Sequence, residues 1–161
     1  MKRRFKYHIV LLLHNIRSAY NVGAMFRTAD AVGVSQIYLT GYSPCPTDRF
    51  DRPNVAVAKS ALGAEKHVPW KHSTSASLII HRLKSEGYKI IAIEQNPKAT
   101  HYKKYKARGK IVLIVGNELD GVTPKLLGMS DKILEIPMRG KKESLNVSVA
   151  LGVVLFAISS L

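Results

Sequence analysis

The stretch Ile133 to Ile158, ILEIPMRGKKESLNVSVALGVVLFAI, most narrows what this chain can fold into, because it joins three physically different segments. Ile133–Ile136 is a short strand-like run that stops at Pro137, which has no N–H to give to a ladder. A basic turn follows, Arg139-Gly140-Lys141-Lys142-Glu143. From Val147 to Ile158 the chain is apolar on almost every face of a helix, with Ser144 or a near neighbour to cap it. A helix of that kind has to be buried, and Val149–Ile158 falls short of the ~20 apolar residues of a membrane span, so the expected surroundings are protein. A core helix preceded by Ser144-Leu145-Asn146, at the carboxyl end of a strand, is the arrangement in which open α/β sheets build binding sites.

Upstream, apolar runs of strand length alternate with helix-length patterns. His8–Leu13 is too continuous for a half-exposed strand and reads as a buried one. Tyr20–Val32 follows as a helix, with Val22, Met25, Phe26, Ala29 and Val32 at helical spacing and Gly33 as its stop. Gln36–Thr40 is a second strand, and Gly41–Pro53 holds three prolines and two aspartates, as a long loop would. Val55–Leu62 reads as a short helix, and His67–Trp70 as a short strand ended by a proline-containing turn. Ser75–Glu86 is amphipathic, with Leu78, Ile79 and Leu83 on one side and Gly87 as its cap. Tyr88–Ile93 and Ile111–Val115 are further strands, and Thr123-Pro124 opens a short helix with a capping residue and a proline at its first position. Neither an internal repeat nor a linker is visible. The alternation predicts an α/β domain with a mostly parallel sheet and helices on both faces.

Composition adds one constraint. Among 161 residues, 25 Lys plus Arg stand against 11 Asp plus Glu, a net charge of +14. Such an excess points to a polyanionic partner, although a basic surface that merely keeps the protein in solution has the same sum. Between Glu94 and Glu118 there is no acid, while Lys98, Lys103, Lys104, Lys106, Arg108 and Lys110 alternate with Tyr102 and Tyr105. That segment is either a solvated loop or a surface for an RNA backbone with stacked bases. A single cysteine, Cys45, excludes an internal disulfide and suits a reducing compartment, so a cytoplasmic location is expected. No signal peptide is visible, and Lys2-Arg3-Arg4 reads as a solvated basic end more readily than as a nuclear signal. Neither G-x-G-x-x-G, nor G-x-x-x-x-G-K-[ST], nor G-x-S-x-G occurs, and the histidines and Cys45 lack zinc-ligand spacing, so no metal is expected.

IPMRGKKESLNVSVALGVVLF resembles the third motif of the SpoU (TrmH) family of RNA ribose methyltransferases, in the SPOUT superfamily. Asn15–Gly33 (NIRSAYNVGAMFRTADAVG) and Ile111–Val122 (IVLIVGNELDGV) match two more motifs in the same order. The resemblance spans most of the chain. It implies the SPOUT fold, in which the C-terminal segment is threaded into a deep trefoil knot, against the general rule that chains are unknotted. It also implies S-adenosylmethionine as methyl donor, tRNA or rRNA as substrate and a homodimer. A single domain over 1–161 is expected, with no appended RNA-binding domain and no membrane association.

Carried over residue by residue, the resemblance gives Arg27 as the essential arginine of the first motif. Asn21 belongs to the same motif but lies six positions away, on a different side of the helix. On its own Arg27 reads as an ordinary surface charge. A guanidinium is not deprotonated at ordinary pH, so the role suited to its chemistry is to clamp phosphate and stabilise a developing alkoxide. Glu118 matches the glutamate that shapes the catalytic pocket, and Gly116 a glycine whose backbone approaches the donor, although both also suit a plain tight turn. Ser144 and Asn146 match residues that arrange donor and ribose. Ile93, Ile136, Met138 and Leu145 fall with Ser144 at donor-contacting positions. The RNA surface is expected to include Arg17, Lys103, Lys104, Lys106, Arg108, Arg139, Lys141 and Lys142. The reading is therefore an RNA 2′-O-ribose methyltransferase. The alternatives are a catalytically silent RNA-binding module of the same fold and a base-modifying relative. Retention of Arg27, Glu118, Ser144 and Asn146 weighs against silence, and the first motif against base modification.

Overall fold

A computed structural model describes residues 7–159, and the basic opening Lys2-Arg3-Arg4 lies outside the described residues. The strands are β1 (Tyr7–His14), β2 (Gln36–Thr40), β3 (Trp70–Ser73), β4 (Lys89–Ile93), β5 (Thr100–His101), β6 (Gly109–Val115) and β7 (Lys132–Glu135). They form one sheet in the order β3-β2-β1-β6-β4-β7-β5, and every pair is parallel. The helices are α1 (Ala19–Val32), α2 (Val55–Ala61), α3 (Ala76–Ser85), α4 (Pro124–Met129) and α5 (Val147–Ser159).

The continuous apolar runs of β1, β4 and β6 follow from burial on both sides of the sheet. Ile9, Leu11 and Leu13 of β1 join Leu113 and Val115 in a core covered by α1, α2 and α5. Val10 and Leu12 point the other way, with Val112 and Ile114, into a second core covered by α3 and α4. The helices on both faces expected from the alternation are therefore present. On the first face α1 and α2 approach closely at Gly23, where a Cβ would collide with the Val57 carbonyl and the Ser60 hydroxyl.

Helix ends mostly follow local chemistry. Ser18 Oγ accepts the Asn21 N–H at the start of α1, and Gly33, left-handed at φ 80°, closes it. Thr123 caps α4 ahead of Pro124, as the sequence indicates. The cap of α5 is Asn146 rather than Ser144: its Oδ1 accepts the N–H groups of Ser148 and Val149 at 2.9 and 3.4 Å. Ser144 lies two residues before that cap.

The third strand departs from expectation. It runs from Trp70 to Ser73, sharing only Trp70 with the expected His67–Trp70, and pairs with β2 at the sheet edge. Pro69 serves through its carbonyl, which accepts the Ile37 N–H, while Val68 turns into the core. In α3 the buried side is Ala76, Ile79, Ile80 and Leu83, and Leu78 faces solvent. The all-round apolar α5 is buried through Leu151, Val154, Leu155 and Ile158 only, leaving Val149 and Phe156 51% and 48% exposed. Tyr102 and Tyr105 are half-buried and pack against the first core.

Candidate active site

All strands being parallel, their carboxyl ends lie along one edge of the sheet, and three turns at that edge surround a cavity of about 220 Å³. Ile93–Gln95 leaves β4, Gly116–Gly121 leaves β6, and Ile136 with Ser144–Val147 belongs to the segment between β7 and α5. This is the place where parallel sheets bind ligands.

Each turn is fixed by its own hydrogen bonds. Asn117 and Gly121 exchange both backbone bonds, at 3.1 and 2.9 Å, and Asn117 Oδ1 accepts the N–H groups of Leu119 and Asp120. Gly116 is needed because a Cβ there would run into the Gly121 carbonyl. Its requirement thus comes from the turn itself. Glu94 ties β4 to that turn: one carboxylate oxygen accepts the Val122 N–H at 2.8 Å, the other the Gln95 N–H at 2.9 Å. Gln95 Nε2 in turn donates to the Ile136 carbonyl at 2.6 Å, drawing the third turn in.

The three matched motifs are joined by hydrogen bonds through Glu118 and Asn21. Its carboxylate accepts the backbone N–H groups of Arg17 and Ser18, at 2.8 and 3.0 Å, and the Asn21 side-chain amide at 3.0 Å. Asn21 Oδ1 then accepts Asn146 Nδ2 at 3.2 Å. Glu118 therefore sits at the amino end of α1, where free N–H groups and the helix dipole favour a negative charge. Burial pushes the carboxyl pKa up, but the donors from Ser18, Arg17 and Asn21 outweigh it, and the net shift is downward.

The lining contains Glu94, Glu118 and Asp120 but no Lys, Arg or His. In a chain of net charge +14 this is a local reversal of sign. Ile93, Val115, Leu145, Val147 and Ala150 supply apolar wall beside it. Among the described residues no cluster of His, Cys, Asp and Glu could hold a metal, and no helix is long and apolar enough to cross a membrane.

Of the residues singled out from the sequence, Ile93, Gly116, Glu118, Ile136, Ser144, Leu145 and Asn146 line the cavity. Asn21 reaches it through Glu118 and Asn146. Met138 is half-buried outside the lining, and Arg27 is exposed on α1, without a hydrogen bond or ion pair among the described residues. Arg17, Lys103, Lys104, Lys106, Arg108, Arg139, Lys141 and Lys142 are all exposed and none lines the cavity. Glu94, Gln95 and Asn117 were missed. An acid and an amide directly after the apolar run of β4 were the available signal for the first two.

The SpoU rRNA methylase family profile matches residues 8–156. A 23S rRNA (guanosine-2′-O-)-methyltransferase, RlmB, of Xanthomonas axonopodis pv. citri is 32% identical over 92% of this chain and 57% of its own length. Curated relatives of this kind are longer, and the chain spans about three fifths of their length. The crystal structure of a TrmH/SpoU tRNA modifying enzyme of A. aeolicus superposes with a TM-score of 0.82 at 29% identity, over 99% of this chain and 76% of that one. An AdoMet-bound rRNA methyltransferase from Sinorhizobium meliloti gives 0.80 at 26% identity, over 93% and 55%. A profile match from the second residue of β1 to within three residues of the end of α5 leaves one assignment: the chain belongs to the SpoU rRNA methylase family.

Proposed function

We propose that the chain transfers a methyl group from S-adenosylmethionine to a ribose 2′-OH of tRNA or rRNA. The observation that carries this reading is the cavity's reversed charge: a carboxylate-lined pocket set in a strongly basic chain. A pocket lined by Glu94, Glu118 and Asp120 suits a ligand bearing positive charge, and repels phosphate. The surrounding Lys and Arg side chains suit a polyanion. The donor has both needs met, with a sulfonium cation and an apolar-faced adenine for the wall of Ile93, Leu145 and Val147. Names of relatives that modify RNA at 2′-O positions, and a relative structure with AdoMet bound, support the same reading.

When bound, the donor supplies an electrophilic methyl on sulfur; the chain's residues do the rest. Gln95 and Glu94 hold the turns that wall the pocket at fixed separation, so its shape is preorganised. Glu118 holds the start of α1 against the 117–121 turn, and Asn21 and Asn146 carry that link to the start of α5. Arg27, free on α1, offers a planar fork of donors to an RNA phosphate and to charge developing on the 2′-oxygen.

In this reading the described residues are one catalytic domain that grips RNA with its own surface, in the cytoplasm, as the free thiol of Cys45 suits. The segment 136–146 is the part that passes through the family's trefoil knot. Its two attachments support this: Gln95 holds its beginning, and Asn21 holds its end at Asn146. The exposed apolar side of α5, at Val149 and Phe156, is where a second copy packs to form a dimer.

The test is incubation with labelled donor and RNA from a strain lacking the gene, followed by nucleoside mass spectrometry. A new 2′-O-methylnucleoside is expected. A methylated base would favour the base-modifying reading. Binding of RNA and donor with no transfer would favour the silent module.

A further inference from the structure

The loop after β2 carries an aromatic ring that the mechanism leaves unused. Tyr42 is 61% exposed, yet it is held at both ends. Its N–H donates to Asn15 Oδ1 at 3.3 Å, and its phenol oxygen accepts Asn117 Nδ2 at 2.8 Å. Asn15 is itself fixed, left-handed at φ 53°, with its N–H on the Thr40 carbonyl and its own carbonyl accepting Asn117 Nδ2 at 3.1 Å. Asn117 is 8% exposed and lines the cavity. The ring of Tyr42 therefore stands one hydrogen bond from the cavity wall, in a single orientation, with its face open.

A lone exposed tyrosine is ordinary on a protein surface. This one differs in being pinned, so the ordering entropy of the side chain is already lost before any ligand arrives. Its loop also differs from the other candidate RNA surfaces. Residues 41–54 carry Arg49 and Arg52 against Asp48 and Asp51, a net charge of zero, and Arg52 is paired with Asp48 at 2.7 Å. Electrostatic grip on a backbone is not what such a loop offers. What it presents is the ring of Tyr42, since the ring of Phe50 is already faced by the guanidinium groups of Arg49 and Arg52, 4.7 and 5.2 Å from its centre. Ring faces without net charge suit nucleobases, which single-stranded RNA turns outward for recognition.

We infer that Tyr42 is a stacking platform for a base beside the reacting ribose, positioning the RNA over the cavity. This rests on the RNA methyltransferase reading above, and the readouts separate the two.

The experiment compares wild type, Tyr42→Phe and Tyr42→Leu. It measures filter binding of unfractionated RNA from a strain lacking the gene, methyl transfer to that RNA, and calorimetric donor affinity. Tyr42→Leu should weaken RNA binding roughly tenfold, the effect of losing one base–aromatic stack, with donor affinity and the salt dependence of RNA binding unchanged. Tyr42→Phe keeps the ring face and should stay within about threefold of wild type. Three results would overturn the inference: RNA affinity unchanged in Tyr42→Leu, Tyr42→Phe as damaged as Tyr42→Leu, or a change in mass by light scattering in Tyr42→Leu. The second would assign Tyr42 to bracing Asn117, and the third to contacts between copies. If the wild type binds RNA but transfers no methyl, the proposed activity fails while the binding comparison still decides the role of Tyr42.

Discussion

The side-chain amide of Asn21 donates to Oε1 of Glu118 at 3.0 Å, across 97 residues of chain. With the N–H groups of Arg17 and Ser18 on the same carboxylate, it makes Glu118 an anionic anchor for the start of α1. The role visible for this glutamate is thus to hold a helix in place beside the pocket.

That anchor is pH-dependent, and its sign is fixed by the downward shift of its pKa. A carboxyl with a lowered native pKa stabilises the fold fully above the ordinary glutamate value, about 4.3, and loses this contribution as pH falls through the native value. Glu118→Gln should therefore flatten the acid limb of the thermal midpoint against pH. It should also lower stability at neutral pH by about 1 kcal/mol through the weakened helix start. Thermal denaturation by circular dichroism across the acid range checks both. Parallel acid limbs in the two proteins would show that the anchor is energetically idle.

Arg27 is exposed and unpartnered among the described residues, so removing it should leave the fold untouched. Arg27→Ala should cut methyl transfer on the order of 10²-fold or more, with donor affinity nearly intact. Arg27→Lys should also be severely impaired, because a point charge does not reproduce the fork. Lys103→Ala with Lys104→Ala should act differently, weakening RNA binding and reducing its salt slope without touching the donor. Normal transfer rates in Arg27→Ala would make this residue an ordinary surface charge.

Gly116→Ala places a Cβ against the Gly121 carbonyl, which is backbone and has little room to retreat. The exchange of bonds between Asn117 and Gly121 should loosen, lowering stability by roughly 1–3 kcal/mol. Donor affinity should fall with it, because that turn forms one wall of the cavity. Calorimetric titration alongside chemical denaturation measures both, and an unchanged donor affinity would place the donor elsewhere.

Phe156→Asp puts a charge on the half-exposed side of α5, at a residue outside the cavity lining. If this side meets a second copy, the variant should elute and scatter as a monomer where the wild type is a dimer. A wild type that is already monomeric at micromolar concentration would remove the dimer from the proposal.

Legibility in the sequence followed burial. β1, β4 and β6 were readable because two cores impose unbroken apolar runs, and α1 because a stripe of apolar residues and a glycine mark its face and end. β3 was misplaced by its proline: at an edge, with polar Lys71, His72 and Ser73, it lacks the pattern of a buried strand. β5 is two residues long and has no pattern to read. For the site, the resemblance named both Glu118 and Asn21 but not the bond between them, nor the backbone N–H groups of Arg17 and Ser18, about 100 residues earlier, that hold the carboxylate. Asn146 was named for chemistry and turned out also to cap α5. Tyr42 and Glu94 owe their places to contacts with distant turns, and such contacts leave no local trace.

The middle of the sheet joins β1 to β6, pairing Tyr7 through Leu13 with Gly109 through Val115. During synthesis β1 and β2 are therefore made well before the strand that will cover their inner edge. At ribosomal rates of about 5–20 residues per second, that edge stays open for seconds while the intervening segments emerge. The same separation raises the contact order, which slows refolding relative to a helical chain of this size. A chain with this strand order carries an unpaired strand edge while it is being made, the condition in which association between neighbouring chains competes with folding.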